Sequence, residues 1–115
     1  MKITITGYYG LDELDGEDGR AIEWEKQRKN RGYDDTELWS LGDTIAKFSL
    51  PRIKQMKEIE LECHKDVDVK SYNTLIEGLE LFIRNDGDRI FTKKEQKKVA
   101  KALKLLGPML PGMWF

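Results

Sequence analysis

Lysines are the residues in this chain whose type and spacing best suit a chemical role. The stretch "TKKEQKKVAKALK" (Thr92 to Lys104) holds six lysines and one acid. Helical spacing puts Lys94, Lys97, Lys98, Lys101 and Lys104 on one side, opposite an apolar row of Val99, Leu103 and Leu106. Five like charges on one face repel each other, and a phosphate-bearing ligand would relieve that repulsion. The plainer reading of the same residues is a solvated surface. Aromatic rings near loops or ends, Tyr8, Tyr9, Tyr33 and Trp114, are either packing anchors or the walls of a base-stacking pocket. The candidate ligand-binding set is therefore Lys94, Lys97, Lys98, Lys101 and Lys104 with Tyr8 and Tyr9.

Other reactive types form no working constellation. Cys63 and His64 are adjacent, but the chain has one Cys and one His, too few for a zinc site. A Cys–His nucleophile pair meets across a fold, so adjacency in sequence lends it no support. "NDGDRIFTKKE" looks like a calcium loop. Counting back from Glu95, however, puts Arg84 at the first ligand position and Arg89 where the loop needs glycine. Asp12, Glu13, Asp15, Glu17 and Asp18, and the pair Asp34 and Asp35, suit loops and helix starts, where acids complement the backbone dipole. With no phosphate-cradling glycine loop and no nucleophile elbow either, the expectation is no enzyme, no metal and no cofactor.

The composition sets the frame for these residues. The chain has 115 residues, 39% apolar and 36% charged, with 20 Lys+Arg against 21 Asp+Glu. A net charge of −1 argues against general or sequence-specific binding of duplex DNA, whose affinity scales with the phosphates neutralised. A single cysteine excludes an internal disulfide framework. No apolar run reaches the ~20 residues of a membrane span, and the opening "MKITITGYYG" lacks the apolar core of a signal peptide. The expectation is one domain over residues 1–115, away from the membrane and in the cytoplasm.

The elements that must position the candidate residues read as mainly helical, a small helical bundle with a short N-terminal β-strand. Lys2 to Thr6 alternates polar and apolar, a strand signal without an evident partner. Glycines among acids mark Leu11 to Gly19 as a loop. Arg20 to Arg31 reads as a peripheral helix stopped by Gly32. Asp34 and Glu37 form a capping box for a long helix with the apolar row Leu38, Leu41, Ile45 and Phe48 and a buried Trp39. Pro51 interrupts that pattern, yet Ile53, Met56 and Ile59 continue the stripe, so a kinked but undivided helix is expected. Asp68 or Ser71 caps the next helix, with Tyr72, Leu75, Ile76, Leu79, Phe82 and Ile83 along one face. Thr92 and Glu95 open a last helix expected to stop at Gly107–Pro108. The expected core is Leu75, Leu79, Phe82, Val99, Leu103 and Leu106 with Leu41, Ile45 and Phe48. A strand with free edges and the apolar "MLPGMWF" point to a homo-oligomer.

The stretch "WSLGDTIAKFSLPRIKQMKE" (Trp39 to Glu58) resembles a group of small uncharacterised proteins of tailed bacteriophages. The shared elements are Trp39-Ser40-Leu41, Ala46-Lys47 and Leu50-Pro51-Arg52, with a preceding Asp such as Asp34 or Asp35 and the later "EGLELF" (Glu77 to Phe82). The resemblance departs at Gly42-Asp43-Thr44, where the group shows an aromatic, and in the segment that follows. It implies an origin and no activity: a phage accessory protein acting in the host bacterial cytoplasm. The functional expectation is a non-enzymatic binding protein serving counter-defence, which sequesters a nucleotide-type immune signal or blocks a host protein. The alternatives are a structural or assembly accessory of the phage and, third, a small hydrolase or transferase.

Overall fold

A computed structural model describes residues 2–3, 14–63, 66–84 and 91–114. The fold is mainly α, with helices α1 (Ala21–Arg31), α2 (Thr36–Trp39), α3 (Leu41–Cys63), α4 (Val69–Arg84) and α5 (Lys93–Met109), then a 3₁₀ turn, Leu110–Gly112. Of the strand expected over Lys2–Thr6, the described residues hold Lys2–Ile3 alone, bridged antiparallel to Leu14–Asp15. The chain groups into two compact units, Met1–Phe48 and Ser49–Phe115.

In the first unit, α1 does more than lie at the periphery. Its small apolar face, Ala21 and Trp24, closes with Leu14 into a buried cluster. Gly32 ends the helix as its sequence position predicts, at φ 84°, with its N–H on the Arg28 carbonyl at 2.9 Å. That left-handed geometry suits a residue without Cβ. Next comes the expected cap: the Glu37 carboxylate accepts the Asp34 N–H at 2.7 Å, and the Asp34 carboxylate accepts the Thr36 N–H at 2.7 Å.

The helix begun there is not the one continuous rod that its apolar stripe suggests. It breaks at Ser40, whose backbone lies at φ −138° and ψ 75°. The chain re-enters a helix at once, with the Thr44 N–H on the Ser40 carbonyl at 3.1 Å and the Thr44 hydroxyl on the Glu37 carbonyl at 2.7 Å. The apolar spacing in the sequence runs straight across Ser40, so it conceals the break. Pro51, by contrast, lies inside an unbroken α3, as expected. Trp39 is exposed rather than buried, and Leu41, Ile45, Phe48 and Leu38 are exposed as well. Ala46 is the residue buried on this part of the chain.

In the second unit the core is narrower than predicted. Leu75 and Leu79 are buried, joined by Ile53, Tyr72 and Ala102, while Phe82, Val99 and Leu106 are half-buried. Leu103, placed in the core by its spacing, is exposed. Helix α4 starts on Asp68, whose carboxylate accepts the Ser71 N–H at 3.0 Å and the Ser71 hydroxyl at 2.7 Å. Across from it, Lys54 pairs with Glu80 at 3.0 Å, and the Lys57 ammonium donates to the Asn73 side-chain oxygen at 2.6 Å.

The last helix does not stop at Gly107–Pro108. It runs through both to Met109 and tightens into the 3₁₀ turn. Pro108 costs the helix one bond, the one that an N–H there would make to the Lys104 carbonyl, while the Leu110 N–H still reaches the Leu106 carbonyl and carries the chain on.

Candidate functional site

The lysine-bearing helix is fixed by three local devices. The Thr92 hydroxyl accepts the Glu95 N–H at 3.1 Å, and the Glu95 carboxylate accepts the Thr92 N–H at 3.0 Å, a complete capping box. Phe91, just ahead of it, stacks on Phe82 near the end of α4, with ring centroids 6.2 Å apart and planes 12° from parallel. One turn back along α4, Gly78 faces Ala102: a Cβ at Gly78 would lie 2.2 Å from the Ala102 Cβ and 3.1 Å from the Lys98 carbonyl oxygen. These contacts run in antiparallel order, and the missing side chain at Gly78 lets the two backbones approach.

With Ala102 buried and Val99, Leu105, Leu106 and Met109 half-buried, the remaining circumference of α5 faces water. Lys94, Lys97, Lys98, Lys101 and Lys104 are all exposed there. At about 100° per residue they span an arc of roughly 120°, from Lys98 beside the contact with α4 to Lys104 on the far side. None of the five forms an ion pair among the described residues. Lys93, which the sequence reading left out of the set, extends the arc by a further side chain.

The charges sit at an awkward end of the helix. Lys93 and Lys94 lie in the first turn, where the backbone dipole is positive and cations are disfavoured. Glu95 offsets part of this, but its carboxylate is committed to the cap. Within Lys93–Lys98 four lysines face one acid, a local charge of the sign that attracts an anion.

Tyr8 and Tyr9 lie outside the described residues. Tyr33 is exposed, with the Arg31 guanidinium 4.4 Å from its ring centre. Trp24 and Trp39 meet edge to face at 5.6 Å, with Arg20 over both rings at 4.8 and 5.4 Å. Cys63 is exposed, and His64 lies outside the described residues. Among the described residues, no three His, Cys, Asp or Glu side chains come together as a metal site, and no helix is long and apolar enough to cross a membrane.

One polar cluster escaped the sequence reading. Arg28 and Asp34 are both buried and form an ion pair, with the Thr36 hydroxyl donating to the second oxygen of the same carboxylate. Burial works against the charge on Asp34, but the bonds from Thr36 and Arg28 outweigh it and hold the carboxyl below the usual range. The Asp34–Glu37 cap was legible; a buried Arg28 was not, since nothing in a run of charged helical residues marks one of them for the interior. The cluster fixes the turn between α1 and α2 and is structural.

No protein-family model matches the chain, no curated protein is similar to it, and no solved structure matches it.

Proposed function

We propose that this chain is a phage-encoded, non-enzymatic binding protein that uses the lysine face of α5 to hold an anion of the nucleotide type. The observation that carries the reading is the exposed arc of Lys94, Lys97, Lys98, Lys101 and Lys104, without ion-pair partners among the described residues, on a helix fixed against α4. A nucleotide presents clustered phosphate charge on a footprint that a few lysines cover, whereas duplex DNA requires many neutralised phosphates from a chain of net charge −1. The resemblance over Trp39–Glu58 to small tailed-phage proteins supports the setting: the host bacterial cytoplasm, and sequestration of a nucleotide immune signal as the task. A thermal-shift series with cyclic and linear nucleotides tests it. The wild type should gain melting temperature with at least one of them, and the Lys97→Glu/Lys101→Glu double variant should not. No shift in the wild type, or an equal shift in both, contradicts the proposal.

A second reading, a phage assembly accessory acting as a homo-oligomer, is favoured by the exposed apolar side chains Leu38, Leu41 and Ile45. Leu41 and Ile45 lie one turn apart at the start of α3, with Leu38 just before the break at Ser40, an exposed apolar patch that a partner could cover.

A further inference from the structure

The lysines of α5 are ordered as well as clustered. Lys94, Lys97, Lys101 and Lys104 stand three, four and three residues apart. On an α-helix that spacing keeps them within about 80° of arc and sets them about 4.5, 6 and 4.5 Å apart along the axis, a row about 15 Å long. Lys98 lies on the side of the row nearer α4, where its carbonyl oxygen is 3.1 Å from the place that a Cβ at Gly78 would take.

Among the described residues no acid pairs with this row. From Gln96 to Phe115 the sequence holds no acid at all, and the Glu95 carboxylate is engaged in its cap. Exposed acids of α4 turn to α3 instead: Glu80 pairs with Lys54 at 3.0 Å, and Glu77 lines a groove with Lys54 and Lys57. Along the opposite flank from Lys98 runs a strip without charge. Gln96, Ala100, Leu103 and Gly107 follow at intervals of four, three and four residues, all of them exposed, Leu103 at 53%.

We propose that the anion held on α5 is a chain of phosphates in the form of a short single-stranded oligonucleotide, its backbone along the lysine row and its bases over the uncharged strip. This rests on the anion-binding reading of the face and narrows it. A mononucleotide gathers its phosphates into one cluster, which meets one end of the row and leaves the repulsion at the other end standing. A strand carries one charge per nucleotide along its length and so relieves all four lysines. Inorganic polyphosphate shares that charge pattern. The strip with Leu103 at its centre offers an apolar contact to bases, which a bare phosphate chain cannot use. Contacts to backbone charge carry no sequence information, so binding is indifferent to base order.

Calorimetry on the full chain tests this with four probes: adenosine triphosphate, the 5′-phosphorylated tetramer and octamer of thymidylate, and inorganic polyphosphate. The tetramer should bind about tenfold more tightly than the triphosphate, and the octamer little more tightly than the tetramer. Log affinity for the tetramer should fall with log salt at a slope of about −3, the value for four phosphates neutralised on a single strand. Lys94→Gln/Lys104→Gln, at the two ends of the row, should weaken the tetramer about tenfold and the triphosphate by less. Leu103→Ser should weaken the tetramer and leave polyphosphate unchanged. Triphosphate binding as tight as that of the tetramer overturns the oligonucleotide and leaves the anion-binding reading intact. Binding of no probe sinks both. Polyphosphate that matches the tetramer, with Leu103→Ser without effect on either, assigns the row to a bare phosphate chain and overturns the proposal.

Discussion

Two residues carry the sharpest physical consequences, one charged and one without a side chain. Asp34 accepts from Arg28 and Thr36 inside the first unit. Asp34→Asn removes the charge that balances a buried guanidinium, and breaking such a pair typically costs about 3–5 kcal/mol. Denaturant unfolding should show that loss, and a variant of wild-type stability would remove the cluster's structural role. The same carboxyl gives a pH dependence with a definite sign. Its folded pKa lies below its unfolded value, so its contribution is present above the unfolded pKa, roughly 3.9, and fades as pH falls through the lower folded value. Stability measured against pH should therefore drop below about pH 4, and Asp34→Asn should flatten that drop. At Gly78 two effects oppose each other. Alanine gains up to ~1 kcal/mol of helix propensity, but its Cβ would lie 2.2 Å from that of Ala102, and overpacking of this kind costs about 1–3 kcal/mol. Overpacking wins, so Gly78→Ala should lower the melting temperature and Ala102→Gly should partly restore it.

At the scale of elements, the chain shows where sequence signals are reliable. Caps were legible because they are chemistry within four residues: Gly32, Asp34 with Glu37, Asp68 with Ser71, and Thr92 with Glu95 all sit where their types predict. Breaks were not. Ser40 interrupts the helix without disturbing the apolar phase, while Pro51 and Pro108 disturb the local signal without ending their helices. Periodicity reports which side chains could share a face and is blind to a pause that preserves register. It also could not tell an exposed apolar row from a buried one, so Leu41, Ile45 and Leu103 were assigned to a core they do not enter. Pro51 supplies a prediction at this scale. Proline has no N–H to give in the interior of α3 and is the poorest helix former, so Pro51→Ala should stabilise the chain, by up to ~3 kcal/mol. A fall in melting temperature on that substitution would mean that the proline sets a bend the packing needs.

For the whole molecule, the lysines of the candidate site were legible as a set, because helical spacing alone places them on one exposed arc. Which of the many charged residues the fold would bury was not legible, as Arg28 in its run of charged helical neighbours shows. Self-association, the second proposed reading, is checked by sedimentation at micromolar concentration: a species above 13.4 kDa supports it, and a clean monomer counts against it. The central claim concerns the lysine face. Calorimetric titration with the best nucleotide from the thermal-shift series, at low and at high salt, tests it most directly. Wild-type protein should bind with an affinity that falls as salt rises, since exposed charges are screened. The Lys97→Glu/Lys101→Glu variant should keep its melting temperature and lose the binding. Equal affinity in wild type and variant, or binding indifferent to salt, would contradict the account.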